Sequence, residues 1–282
     1  MDRQHLLTLA ACATCAGFGG ALLSQNGHAT FAQAAAAHAP TPAVVRAPAP
    51  VVVTTARAVL AAGGIERREA VSEVQTALNA LAGSVKKQSD PDALKKAFKA
   101  YFAYKAEHPE KVRKPYLYFV DYGLSATTPR GYVFDMKALK VIDGPFMVAH
   151  GRGSAPAGTG VPTRFGNRMG AATTSLGLYL AQETYAFVGH TGGKAYRSVG
   201  LRLAGLSGKF NGAARARGVV AHGAPYVTPG NAGRSEGCPA LEPARAQRLL
   251  PRLSNGSLVF LFSPNDETWM EQDPWAGDDA NG

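Results

Sequence analysis

The spacing of hydrophobic positions changes along the chain. In residues 66–87 the apolar residues Val71, Val74, Leu78 and Leu81 fall on one stripe, the period of an amphipathic helix. Asp90-Pro91 then offers an N-cap followed by proline in the first turn. A second helix follows, with Leu94, Phe98, Tyr101 and Phe102 as its apolar face and Lys95, Lys96, Lys99 and Lys105 on the other. That lysine face reads first as solvated and second as a binding face. His108-Pro109 ends the helix. From Pro115 onward the helical period gives way to short β-rich runs at 116–121, 132–136, 146–150, 176–180, 185–188, 199–203, 219–222 and 258–262, separated by Gly, Pro, Asn and Ser. Residues 244–253 form one late helix, interrupted by Pro251. Many short strands with turn signals predict a mainly β, sandwich or barrel-like domain with short helices, preceded by a small helical segment.

The flanks have no such periods. Residues 35–64 are rich in Ala, Pro and Val and read as an extended linker. After Phe262 the chain turns acidic, with Asp266, Glu267, Glu271, Asp273, Asp278 and Asp279 and no Lys or Arg. That reads as a flexible tail, with Trp269 and Trp275 able to dock on the domain. At the other end, Met1 to His5 is a short polar start, and Leu6 to Ser24 carries no charge. Ala32-Gln33-Ala34 then offers a small-residue cleavage site. Together these have the form of an export signal. Its few bulky residues argue against a permanent membrane helix. Leu9-Ala10-Ala11-Cys12 also has the form of a lipoprotein cleavage box, a minority reading because it lies so near the start. The expected organisation is a signal over 1–34, a linker over 35–64, a helical segment over 65–112, the β domain over 113–263 and an acidic tail over 264–282. The expected location is the periplasm or cell envelope, with membrane contact only through export or lipidation.

With 282 residues and 46% of them hydrophobic, the chain can bury a good core. The formal net charge of +10 favours polyanionic partners. No nucleic-acid-reading motif accompanies it, so nucleic acid is not an expected partner. Cysteine usage is more pointed. The three cysteines are Cys12, Cys15 and Cys238, and removal of the signal leaves only Cys238. A lone thiol in an oxidising compartment has no intramolecular partner. The alternative is an inert cysteine filling a core.

The local sequence favours chemistry. Val219 to Gly223 places His222 at a strand end, and Gly233-Arg234-Ser235-Glu236-Gly237-Cys238-Pro239-Ala240 returns the chain to the thiol. Glycine before the cysteine permits close approach of backbone to substrate, and its amides can face a developing oxyanion. A free thiol has a pKa of about 8.5, and a neighbouring imidazole can bring it to roughly 3.5–7.5. The expectation is therefore a thiolate nucleophile at Cys238 activated by His222 for acyl transfer. Arg234 adds charge that can steady the thiolate, clamp a carboxylate or hold the loop.

These motifs carry a family resemblance. His222-Gly223-x-x-Tyr226-Val227 followed by Gly233-Arg234-Ser235-x-Gly237-Cys238-Pro239-Ala240 resembles the murein L,D-transpeptidase catalytic domain, a branch of the YkuD-type superfamily. His150-Gly151-Arg152-Gly153-Ser154, Arg164-Phe165-Gly166-Asn167, Thr174-Ser175-Leu176-Gly177-Leu178-Tyr179, Leu201-Arg202-Leu203 and the run Asn211–Arg217 extend it over most of residues 115–263. The resemblance implies Cys238 as nucleophile and His222 as base. It implies Ser235, Gly237 and the Cys238 amide as the loop around the oxyanion, and Gly223 as the carbonyl that orients the histidine. Arg234, Tyr226, His150, Arg152 and His190 are candidates for substrate binding. The implied reaction is acyl transfer on a peptidoglycan stem peptide through a thioester, with no metal or organic cofactor and with inhibition by carbapenems. The acceptor is a second stem, an amine of an envelope protein, or water in an L,D-carboxypeptidase. Two departures bear on substrate choice: Glu236 stands where many relatives have a second histidine, and Pro239-Ala240 where many have Asn or Arg.

Two rival readings remain open at this point. His150, His190, His222 and Cys238 could surround zinc, although they are scattered without a tight ligand pair. A non-catalytic wall-binding protein would use the basic helices 66–108. Papain-like amidases place Cys before His, the reverse of the order here.

Overall fold

The computed structural model describes residues 71–156 and 160–278. The signal and linker expected over 1–64 lie outside the described residues. Helix α1 occupies residues 71–81, and α2 spans Ala93–Glu107. Strands β1 (Tyr116–Asp121), β2 (Gly131–Asp135), β3 (Lys140–Phe146), β5 (Gly177–Thr191), β6 (Lys194–Gly205), β7 (Val220–Gly223), β9 (Ala240–Leu241) and β10 (Leu258–Phe262) form one sheet, ordered β3-β2-β1-β10-β5-β6-β7-β9. Strands β4 (His150–Gly151) and β8 (Arg234–Ser235) pair separately, in parallel. Helices α3 (Pro243–Leu253) and α4 (Glu267–Gln272) complete the chain.

The centre of the sheet is the parallel pair β1–β10. Strand β10 reads Leu-Val-Phe-Leu-Phe and is buried throughout, and β1 is buried from Leu117 onward. Such unbroken apolar runs are what a strand covered on both faces requires. Helix α2 packs on β1 and β10 and buries all four predicted face residues. Phe98 meets Phe134 edge-on at 5.6 Å. Helix α3 packs on β5, β6 and β7. From there Arg245 and Arg248 reach Asp143 on β3, the opposite edge strand, so the sheet curls around this helix. The expected mainly β, barrel-like architecture with short helices and a helical segment in front is the architecture observed.

Four local expectations differ. The second helix begins after Asp92, because Asp90 caps a preceding turn by accepting from the Asp92 amide at 2.8 Å. Val71, placed on the first apolar stripe, is 65% exposed, and Ala77 and Leu81 take the buried positions. The run at 146–150 is not one strand. Strand β3 ends at Phe146, and its Asp143-Gly144-Pro145 hid it from pattern reading; proline is tolerated there because β3 is an edge strand. The runs at 176–180 and 185–188 are one long β5, interrupted by an irregularity between Ala181 and Thr184. Gly192 and Gly193, both at positive φ, turn it into β6.

The tail and the lysine face correct each other. Lys96 is buried, donates to the Met270 and Ala276 carbonyls and pairs with Asp278 at 2.7 Å. Lys99 donates to the Gly277 carbonyl at 2.8 Å. These acceptors replace the water that a solvated lysine would have. Trp269 is fully buried against Phe260 and Phe262, and Trp275 meets Tyr104 edge-on at 4.9 Å. Through residue 278 the expected flexible tail is a packed part of the domain, held by its tryptophans and by two lysines of α2.

Candidate active site

Strand register sets His222 opposite Ala240, two residues after Cys238. His222 sits in the buried strand β7, opposite Gly200 of β6 on one side and Ala240 of β9 on the other. The chain leaves β7 after Gly223 and must return in parallel beside it to form β9. That return places Cys238 two positions before the residue that pairs with His222. The His222 amide donates to the Pro239 carbonyl at 3.3 Å, which ties strand to loop.

The imidazole is fixed on its edge and on its face. Nδ1 lies 3.1 Å from the Gly223 carbonyl oxygen. A carbonyl only accepts, so Nδ1 carries the proton and Nε2 keeps its lone pair. Phe187 of β5 stacks on the ring, with centroids 4.3 Å apart and planes 23° apart. Burial holds the His222 pKa down at about 4, only partly offset by the Gly223 hydrogen bond. A base that is neutral near pH 7, with its tautomer set by a backbone carbonyl, needs no carboxylate partner. Gly223 is required by space: an added Cβ would collide with Ser198 Oγ and lie 2.9 Å from Ala246 Cβ.

The nucleophile loop is held by hydrogen bonds. Ser235 Oγ donates to the Cys238 carbonyl at 2.7 Å and accepts from the Gly237 amide at 3.1 Å, closing a turn around the cysteine. Gly237 has φ +125°, and a Cβ there would lie 2.8 Å from the Thr173 carbonyl oxygen. The Gly237 amide is spent on Ser235 and does not point into open space. Cys238 itself is half-exposed. Its thiol pKa is raised, first by desolvation, against the lowering effects of the Val220 amide and Arg217. The expected thiolate therefore has burial against it, with the Val220 amide and Arg217 in its favour. Burial penalises both charged forms, the thiolate and the imidazolium.

The remaining sequence candidates have mixed positions. Tyr226 is half-buried, interacts with Tyr196 of β6 and has its pKa raised by burial with the Cys238 charge contributing. Arg152 follows β4 and pairs with Glu236 at 2.7 Å, both exposed. Arg234 in β8 is exposed and donates to the Pro156 carbonyl at 3.3 Å. His150 is fully buried, and Arg130 Nη2 donates to its Nδ1 at 2.8 Å. Desolvation, with Arg130 second, brings the His150 pKa to about 3. It is thus a neutral core histidine below the nucleophile loop rather than a surface contact. His190 is exposed near the hairpin tip, opposite Ala195. It stands five residues beyond Tyr185, the residue level with His222 across Gly200, or about 16 Å along the strand. The structure does not bring His190 to the pair. Among the described residues no three His, Cys, Asp or Glu side chains converge so as to hold a metal ion. Three residues were not singled out from sequence: Phe187, Arg130 and Arg217. Only Arg217 had a signal, as the last residue of the run before β7.

The site thus holds a histidine of carbonyl-set tautomer on β7 and a turn-held cysteine in the loop that leads into β9. The L,D-transpeptidase catalytic domain model matches residues 85–262, more than half of the chain, and the chain belongs to that family. Solved structures of similar fold include an L,D-transpeptidase from Mycobacterium smegmatis, 17% identical over 52% of this chain and 58% of that one, with TM-score 0.32. One from Stackebrandtia nassauensis is 16% identical over 62% of this chain and 69% of that one, with TM-score 0.33. The chain thus spans little more than half the length of the mycobacterial protein. No curated protein matches.

Proposed function

We propose that this chain is a cysteine-dependent L,D-transpeptidase that works on peptidoglycan stem peptides in the cell envelope. The observation that carries the reading is the His222 tautomer. With Nδ1–H on the Gly223 carbonyl, Nε2 is the only ring nitrogen able to take a proton, and the pairing of His222 with Ala240, two residues after Cys238, supports a base for that thiol. In the first step the thiol gives its proton to Nε2 as sulfur attacks the carbonyl on the L-centre side of an L,D bond, that of diaminopimelate before D-alanine. The Cys238 amide receives the oxyanion. Collapse breaks the C–N bond, the imidazolium returns the proton to the leaving amine, and D-alanine departs from a thioester. An amine of a second stem or of an envelope protein, or water, then attacks the thioester, with His222 again taking the proton.

Export by the signal over residues 1–34 accords with this substrate. No helix among the described residues is long and apolar enough to cross a membrane. The test is incubation of the purified protein with disaccharide tetrapeptide, with D-alanine release and dimer formation followed by mass spectrometry. The wild type is expected to do both and Cys238→Ala neither. Release that survives Cys238→Ala, or that requires zinc, rejects the thiol mechanism. Dimer formation reports an amine acceptor, and loss of D-alanine without dimer reports water.

A further inference from the structure

Arg217 lies two residues before Val219, at the foot of β7. Its Nη1 donates to the Gly166 carbonyl at 2.9 Å and to Ser175 Oγ, and its Nη2 donates to the Ala171 and Thr173 carbonyls at 2.9 and 2.8 Å. All four acceptors are neutral, and among the described residues no carboxylate lies within ion-pair distance of this guanidinium. Its neighbours are treated differently: Arg202 and Arg215 share Glu183, and Arg152 has Glu236. Arg217 is also half-buried. The four hydrogen bonds offset the cost of desolvating this cation, and its charge is left without a carboxylate to neutralise it.

A negative charge has a place to appear beside it. The Thr173 carbonyl held by Nη2 is the atom 2.8 Å from a Cβ at Gly237, and Nη2 itself lies 3.6 Å from the same point. The guanidinium therefore backs onto the residue that precedes the nucleophile. We propose that Arg217 is a positioning residue for the L,D-transpeptidase reaction: it braces segment 166–175 against the Gly237–Cys238 turn and supplies the counter-charge for the thiolate formed when His222 takes the thiol proton. The proposal rests on Cys238 being the nucleophile.

The other charged and titratable groups around the sulfur do not supply that charge in advance. His222 on β7 is neutral at rest and becomes a cation only by taking the proton, so it shares the counter-charge then, whereas Arg217 is charged beforehand. Tyr122 after β1, Tyr179 and Tyr185 on β5, and Tyr196 on β6 are all raised by burial and stay neutral, as does Tyr226. Glu236 in the loop opposes the thiolate, and Arg217 favours it. Arg130 and Arg234 act on His150.

The experiment is the pH dependence of Cys238 alkylation by iodoacetamide in wild type, Arg217→Gln and Arg217→Lys. Arg215→Gln serves as a surface control, Cys238→Ala as the blank, and each variant's melting is recorded. Arg217→Gln is expected to raise the alkylation midpoint by about one pH unit and to slow alkylation about tenfold below it. Arg217→Lys keeps the charge but not the four-way brace, so its midpoint should stay near that of wild type while D-alanine release falls. A folded Arg217→Gln protein with the wild-type midpoint overturns the proposal. Should Arg217→Gln fail to fold, Arg217→Lys decides: an unchanged midpoint supports the counter-charge, and a rise of about one pH unit overturns it. Alkylation needs no wall substrate. A wild type that alkylates with this profile yet releases no D-alanine would sink the functional reading and leave the role of Arg217 standing.

Discussion

Strand β7 and the loop that ends at Cys238 hold the two halves of the proposed catalytic pair by different physics. His222 is held by packing: its strand is buried throughout, Phe187 covers one ring face, and a single hydrogen bond sets the tautomer. Cys238 is held by hydrogen bonds around irregular backbone, with Ser235 closing the turn and Thr173 braced against Gly237. The division has a chemical logic. A general base needs a dry, rigid seat that keeps it neutral. A nucleophile must stay reachable, so Cys238 is only half-buried and its turn is shaped by directional bonds.

The sharpest way to break the comparison is on the base side. His222→Asn removes the proton acceptor but leaves a polar group of similar shape near the Gly223 carbonyl. D-Alanine release should fall by about 10²–10⁴-fold while the fold persists. Retained activity with cooperative melting would mean that the packed seat is only structural. Gly237→Ala comes next. Its Cβ meets the Thr173 carbonyl and its φ is strained for any other residue, at a cost of about 1–3 kcal/mol. The loop can relieve that only by moving the thiol, so turnover should drop by about a hundredfold or more, as misplacement at a reacting centre does. Ser235→Ala removes two hydrogen bonds of the turn, each worth about 1 kcal/mol. It should lower turnover more than it lowers the melting temperature. Equal losses would mean that the serine serves the fold and not the turn.

The same contrast decides what the sequence made legible. The central strands were readable because β10 and β1 are unbroken apolar runs whose burial follows from composition. His222, Gly223 and Cys238 stood out as candidates because glycine and histidine at a strand end, and glycine before a lone cysteine, have few other uses. Lys96 was misplaced because helical spacing shows which face is polar but not that the Met270 and Ala276 carbonyls will cap that face from a segment far along the chain. Phe187 looks like any strand aromatic until the register of β5, β6 and β7 lays it on the imidazole. Burial's upward push on the thiol was hidden for the same reason. Desolvation is a property of the packed surroundings, and neither residue type announces it.

The smallest effect concerns Phe187, and it tests whether packing sets the chemistry of the base. Burial holds His222 at about 4, below its ordinary 6.5. The neutral ring is the working form, so the acid limb of turnover should lie low, and activity should be lost only as pH falls toward that value. Phe187→Leu keeps an apolar side chain but uncovers part of the ring to water, which favours the imidazolium. The acid limb should then move upward toward 6.5, with little change in rate near pH 7.5 and a clear loss near pH 5. Stability carries the same sign. Between 6.5 and 4 the unfolded chain binds a proton at His222 that the native chain refuses, so acidification through that window favours unfolding. His150, held at about 3, adds a contribution of the same sign that continues lower and that Phe187→Leu leaves in place. Melting temperature in the variant should therefore depend less steeply on pH across the upper window. If the acid limb stays where it was, the stack is packing alone, and the low pKa of the base comes from the strand beneath it.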